Sequence, residues 1–323
     1  MKPKNCLIFG ASGQIGRHLI RKLTKNNYKV TAVTRNLHQK GYILKTQASA
    51  GWIDCVETDI FDEKKLRKLI SKATICINLI GVLFEENKFN SFKNIHTFFP
   101  LLLSKICKEY NIKQLIHLSA LGIELNDQPV DSKYAKSKFY GEINVKNNFS
   151  KAIILRPSIV YSVDDKLTTQ FMTLLNRLPV FPLFGNPKFT PIHVKDLTEI
   201  IYQIINKEIN SQTIECIGKE ILSFKDILQK LLYLIDKKRF IISLPLFVSK
   251  LIAVSFKILP KPLITIDQIK LLNACDNVSS GKYKTNFDIG IPSLCNFEEE
   301  VEKYCYMWKD AGQFSKKNII KLW

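Results

Sequence analysis

The first half of the chain alternates short apolar runs with stretches whose apolar residues recur every three or four positions. The runs NCLIFG (5–10), YKVTAVTR (28–35), WIDCVETDIF (52–61), TICINLIG (74–81), QLIHLSAL (114–121) and AIILRPSIVY (152–161) predict six β-strands. Helices are predicted between them. One covers 15–23, with Ile15, Leu19, Ile20 and Leu23 on one face; others are the charged EKKLRKLI, a long helix over 92–110 and one from about 132 to 145. Near-continuous apolar strands are buried on both faces, so the pattern predicts an α/β fold with a doubly wound parallel sheet of Rossmann type. After Tyr161 the pattern loosens. Helices are expected at 168–178, 194–206, 223–235, around 267–272 and around 297–307. Strands are expected at 213–218 and 239–244, and FPLFGNPKFTP (181–191) is expected to be a turn. The expected organisation is a nucleotide-binding Rossmann part over 1–165. Residues 166–323 then add the remaining Rossmann elements and a smaller mixed C-terminal lobe, in one continuous compact unit.

GASGQIG places Gly10, Gly13 and Gly16 between the first strand and an amphipathic helix. Such a turn brings backbone close to a pyrophosphate, and the helix start offers unpaired N–H groups and the positive end of its dipole. This context predicts dinucleotide binding. The second strand ends Thr34-Arg35-Asn36, without the acid that often bonds the ribose of NAD. A guanidinium there suits a 2′-phosphate, so NADP(H) is expected in preference to NAD(H). Ser12 either assists a phosphate or stabilises the turn. Asp59 either accepts from the adenine amino group, with Ile60 packing on the ring, or caps the next helix. Gly81, ending the fourth strand, is consistent with backbone lying against the cofactor.

Tyr134 and Lys138 share one helix face at a YxxxK spacing. An ammonium near a phenol lowers its pKa, and such a tyrosine exchanges protons with a carbonyl or hydroxyl while hydride moves to or from nicotinamide. Eleven tyrosines and 41 lysines make about one such pair by chance, so position carries the signal. GASGQIG, INLIG, LSALG, SKYAKSKFYGE and LRPSIVY follow one another as in extended short-chain dehydrogenase/reductases (NAD-dependent epimerase/dehydratase-like), which the chain resembles. FTPIHVKDL, TIDQIKLLNACDNVSS and KDAGQF narrow the resemblance to relatives of the alpha-subcomplex subunit 9 of NADH:ubiquinone oxidoreductase (complex I), including bacterial homologues.

That resemblance implies a bound NADP(H) and an accessory or assembly role beside complex I subunits, near the membrane. Carried over by motif, it implies cofactor contacts from Gly10, Ser12, Gly13, Gln14, Ile15, Gly16, Arg35, Asp59, Ile60, Gly81, Ser119, Tyr134, Lys138 and Pro157. Active relatives usually carry a Ser or Thr a few residues past the fifth strand, whereas this chain has Ser119 early and then Ala120, Leu121 and Gly122. Two alternatives stand beside the accessory role. One is an active NADP-dependent oxidoreductase or epimerase using Tyr134 and Lys138 on a carbonyl or alcohol. The other is an NADP(H)-responsive regulatory protein.

Among 323 residues, 48 are basic and 29 acidic, a net charge of +19, yet only seven are arginine. No nucleic-acid motif accompanies the charge, so nucleic acid is not an expected partner. The eight cysteines form no CxxC pair, which suits a reducing compartment and leaves a zinc ribbon unsupported. No metal is expected. The first apolar run stops at Gly10, too short for a signal peptide, and no Arg/Ser-rich transit peptide precedes it. The expectation is a bacterial cytoplasmic protein, with peripheral contact at the inner face of the cytoplasmic membrane left open. IISLPLFVSKLIAVSFKILPKPLI (241–264) is interrupted by lysines and does not span a bilayer. It reads as a helix buried in the lobe beside a solvated basic face, or alternatively as an interfacial helix on anionic lipid. The lysine-rich stretch 303–323, with Trp308 and Trp323, adds to the second reading.

Overall fold

A computed structural model describes residues 4–255, 264–310 and 312. All six expected strands form: β1 (Asn5–Phe9), β2 (Lys29–Thr34), β3 (Ile53–Glu57), β4 (Ile75–Asn78), β5 (Gln114–Leu118) and β6 (Ile153–Pro157). Later chain supplies β7 (Thr213–Cys216) and β8 (Lys284–Thr285). The eight strands pair in parallel in the order β3-β2-β1-β4-β5-β6-β7-β8. The order reverses between β1 and β4, and ligands of open α/β sheets bind at such a reversal, outside the C-terminal strand ends.

The sequence forms this sheet because both faces of its strands are covered. In β1, Cys6 and Ile8 point into one core, and Leu7 and Phe9 into the other. Truncating either Ile8 or Phe9 to alanine is expected to cost about 2–5 kcal/mol. The first core is closed by α1 (Gln14–Lys25), α2 (Leu37–Lys45) and α7 (Val194–Asn206). The second is closed by α3 (Glu63–Ile70), α4 (Phe99–Glu109) and α5 (Lys133–Asn148). A third core, around Tyr161, Phe181, Phe224 and Phe297, joins α6 (Leu167–Arg177), α8 (Phe224–Leu234) and α11 (Phe297–Cys305) into the lobe. The lobe also carries α9 (Leu246–Ser255) and α10 (Ile266–Ala274).

Four expectations are corrected. Helix α2 went unseen because it has no clean apolar stripe; only Gly41 and Leu44 are buried in it, and the Asn36 side chain fixes its start by accepting from Gln39 N–H. The long helix over 92–110 is a π-helical turn, Lys93–Phe98, running into α4 with Pro100 in its first turn. Within the expected turn at 181–191, Val180–Leu183 pairs in parallel with Phe240–Ser243, burying Phe181 and Leu183. An isolated two-stranded ladder is all edge, so Pro182 is tolerated there. The expected burial of the 241–264 helix fails for its described part: Leu246, Phe247, Val248 and Leu251 of α9 are exposed. The side chains of Lys250 and Val254, residues 256–263 and the basic stretch from 313 lie outside what is described.

Candidate functional site

The C-terminal ends of β1 to β6 bring most of the expected residues into one line. Gly10 follows β1 with φ +78°, a conformation that disfavours side chains, and its Cα faces the Leu79–Ile80 peptide after β4. A Cβ on Gly16 would lie 2.5 Å from the Ala11 carbonyl oxygen and 2.6 Å from that of Gly10, so α1 starts directly against the turn. Gly13 is the N-cap of α1, and no side chain caps its first N–H groups. This cradle, which a side chain would fill, fits an anionic diphosphate. Ile15 packs on the core beneath it. The Gln14 side chain is already committed, because Nε2 donates to Ser162 Oγ at 2.8 Å, so only its backbone faces the cradle. Ser12 is half-buried, and its carbonyl accepts from Arg17.

Arg35 stands exposed beyond β2, donating to Asn90 Oδ1 at 2.8 Å. Parallel register sets Glu57 of β3 beside Thr34, and Glu57 Oε2 accepts from Leu37 N–H at 2.6 Å. An acid thus reaches this end of the sheet from the neighbouring strand, which a scan of β2 alone does not reveal. Asp59 is exposed and bends the chain by accepting from Phe61 N–H at 3.0 Å; the cap of α3 is Asp62 instead. Ile60 is buried in the second core.

At the centre, Lys138 Nζ is buried and donates to the Leu118 carbonyl at 3.1 Å, and a Cβ on Gly81 would lie 3.3 Å from it. Burial pulls Lys138 down to about 8, with Glu142 opposing. The Ser119 hydroxyl just beyond β5 is buried and has no partner among the described residues. Pro157 closes β6, and its carbonyl accepts from Leu121 N–H at 2.9 Å. Tyr134 lies edge-on to Phe92 and His96, at 5.8 and 5.4 Å between ring centroids. The expected lowering of its pKa is not found. Desolvation alone pushes the phenol up to about 12, while Lys138 donates to the Leu118 carbonyl instead.

Further residues, outside the sequence motifs of the cofactor site, support it. His96, on the π-helical turn, accepts from Val82 N–H through Nε2 at 3.0 Å and lies 2.9 Å from Ser137 Oγ through Nδ1. Ser137 in turn donates to the Tyr134 carbonyl at 2.7 Å. His117 Nδ1 takes a bond from Asn78 at 3.1 Å, leaving buried Nε2 without a partner among the described residues. Burial, with Lys138 nearby, lowers His96 to about 2 and His117 to about 3, so both are neutral. Asp267, at the start of α10, accepts from Ser132 Oγ (2.9 Å), Lys133 N–H (2.7 Å) and Tyr134 N–H (3.0 Å). Asn277, farther along, donates to the Leu121 carbonyl at 2.6 Å and accepts from Ser158 Oγ, also at 2.6 Å. The lobe is therefore fastened to the ends of β5 and β6 and to the helix carrying Tyr134. His96 and His117 were visible as two of only five histidines, but the partners of Asp267 lie 133 to 135 positions away.

Residues 6–217 match the NAD dependent epimerase/dehydratase family, and the chain belongs to that family. The 40 kDa subunit of mitochondrial NADH-ubiquinone oxidoreductase from Neurospora crassa is 25% identical over 294 residues, 90% of this chain and 76% of that protein. NADH dehydrogenase [ubiquinone] 1 alpha subcomplex subunit 9 from Arabidopsis thaliana is 26% identical over 86% of this chain and 71% of that one. Among solved structures, UDP-glucuronic acid 4-epimerase from Bacillus cereus, in complex with UDP-glucuronic acid and NAD, superposes with a TM-score of 0.72. It is 18% identical, with 94% of this chain and 99% of that one covered.

Proposed function

We propose that this member of the epimerase/dehydratase family holds NADP(H) along its strand ends and serves as an accessory protein of a respiratory NADH:quinone oxidoreductase at a membrane surface. One observation carries the nucleotide assignment. A glycine cradle with no room for a side chain lies in line with a buried serine hydroxyl that no described residue satisfies. The N–H groups around Gly13 and Gly16 would receive the pyrophosphate, and Arg35 the 2′-phosphate. Asp59 and Ile60 would receive the adenine, Lys138 and Tyr134 the ribose, and Ser119 and Pro157 the nicotinamide end. The bound nicotinamide would supply a hydride donor or acceptor.

The accessory role is favoured by likeness to respiratory-complex subunits along most of the chain. It is favoured also by Ala120 and Leu121, which leave a reacting carbonyl without the usual hydroxyl. Membrane contact is supported by an apolar face on the lobe. Val180, Phe240 and Ile242 of the two-stranded ladder are exposed, as are Leu246, Phe247 and Leu251 of α9. Lys237, Lys238 and Arg239 immediately precede that ladder. Among the described residues no helix is long and apolar enough to cross a membrane, so contact would be peripheral.

A second reading, an NADP-dependent oxidoreductase or epimerase, is favoured by one observation: the Tyr134 hydroxyl makes no hydrogen bond to any described residue and is free to meet a substrate. Native mass spectrometry of the purified chain tests the nucleotide assignment. One tightly held NADP(H) per chain is expected. A chain that takes up neither NADPH nor NADH overturns it.

A further inference from the structure

Outside the nucleotide cradle, the chain brings together an imidazole, a thiol and a carboxylate from two distant segments. His193 precedes α7, Cys295 precedes α11 and Glu300 lies in the first turns of α11. One ligand atom from each lies within 4.8 Å of the others, and His193 Nε2 is 3.9 Å from Glu300 Oε2. We propose that His193, Cys295 and Glu300 bind one zinc ion that clamps the start of α11 to the start of α7. Tetrahedral zinc holds such donors about 3.4–3.8 Å apart, so a contraction of at most about 1.4 Å assembles the site. A mixed nitrogen, sulfur and oxygen set suits zinc and not magnesium or calcium, which take oxygen donors.

A second observation points to a ligand there. Tyr161 is fully buried, its ring is 5.0 Å from that of His193, and its hydroxyl has no partner among the described residues. The Tyr161 ring also lies 4.9 Å from that of Phe297 at the start of α11, so the phenol packs between the two segments that carry the cluster. A water on the fourth zinc position would give the hydroxyl a partner. Asp196 already organises the surroundings by accepting from Cys295 N–H at 3.0 Å. Two groups compete. Lys195 and Lys303 pair with Glu300 at 3.1 and 2.5 Å, but both are more than half exposed, so their pairing contributes little. Zinc on Nε2 also requires the Nδ1–H tautomer, which gives up only a long 3.4 Å contact from Lys195 N–H. Zinc binds sulfur as the thiolate, so it replaces the Cys295 thiol proton, forming the sulfur–zinc bond and releasing one proton to solvent. Cysteine spacing does not reveal this site, because His193 lies about a hundred residues from Cys295 and Glu300.

The test is titration of the chelator-treated full chain with zinc, followed calorimetrically in buffers of different ionisation heat, and with cobalt, followed by absorbance. One zinc per chain, release of one proton and a thiolate-to-cobalt charge-transfer band are expected. Cys295→Ser should remove the band and weaken zinc by at least about tenfold, whereas Cys275→Ser, at a half-buried cysteine outside the site, should leave both intact. His193 is buried and caps α7, so Cys295→Ser decides the matter if His193→Gln fails to fold. No stoichiometric zinc, or zinc binding unchanged in Cys295→Ser, overturns the proposal.

Discussion

Asp267→Asn tests whether the lobe holds the Tyr134 helix. The first turn of α5 has four N–H groups without partners inside the helix. Ser132 accounts for two of them, its own N–H donating to the Val130 carbonyl at 2.7 Å and its side chain accepting from Ala135 N–H at 3.2 Å. Asp267 accounts for the other two, Lys133 and Tyr134, at 2.7 and 3.0 Å, and also accepts from the Ser132 hydroxyl. Hydrogen bonds to a charged group contribute about 1.5–3 kcal/mol each when buried, and a negative charge at a helix start adds about 0.3–1 kcal/mol. Asp267 is half-buried, and asparagine keeps one carbonyl acceptor, so we expect a loss of about 2 kcal/mol, well below the full sum. Against a typical total of about 5–15 kcal/mol, that shift is easily measured. Urea denaturation should show a lower midpoint at unchanged slope. Hydrogen exchange should quicken at the Lys133 and Tyr134 amides while the amides of β1 stay protected. A variant within about 0.5 kcal/mol of the parent, with those two amides still protected, would refute the reasoning.

Other consequences are equally open to measurement. Arg35→Ala should weaken NADPH by roughly 10- to 100-fold and leave NADH nearly unchanged in a fluorescence titration, whereas equal losses for both nucleotides would remove Arg35 from the 2′-phosphate. Gly16→Val should abolish nucleotide binding, because its first side-chain carbon alone would lie 2.5 Å from a backbone oxygen; retained binding would exclude the cradle. His96 and His117 are held below the ordinary histidine value, at about 2 and about 3, so between those values and about pH 6.5 the unfolded chain binds more protons than the folded one. Stability should therefore fall as pH drops below about 6.5, by up to about 1.4 kcal/mol per pH unit for each histidine, and His117→Gln should reduce that slope. Phe240→Asp with Phe247→Asp should cut binding to vesicles containing anionic lipid without changing nucleotide binding; undiminished vesicle binding would remove that face from the membrane contact.

The parts of the fold legible in the sequence are those whose burial is local. Strands such as β1 announce themselves because each successive residue enters a core, and α1 because one face repeats every three or four positions. Helix α2 and the Val180–Leu183 strand depend on a cap and on a partner strand about sixty residues away, so neither has a periodic signature. The glycine cradle, Lys138 and Ser119 were visible for a similar reason, since each sits at the end of a predicted strand or one turn into a predicted helix. Asp267 and Glu57 were not, because long-range packing and strand register bring them to the site. The Tyr134 phenol shows the limit of spacing arguments. A lysine four residues away promises a lowered pKa, but desolvation raises the half-buried phenol, and Lys138, buried and turned to the Leu118 carbonyl, does not offset it.

The most direct test of the central claim is gentle purification of the chain from its native membranes, with co-purifying proteins and bound nucleotide identified in the same sample. Subunits of NADH:quinone oxidoreductase together with tightly held NADP(H) are predicted. A chain recovered free of those subunits, with nucleotide that exchanges readily and turnover of a carbonyl or alcohol that Tyr134→Phe abolishes, would contradict the accessory role and establish the enzyme in its place.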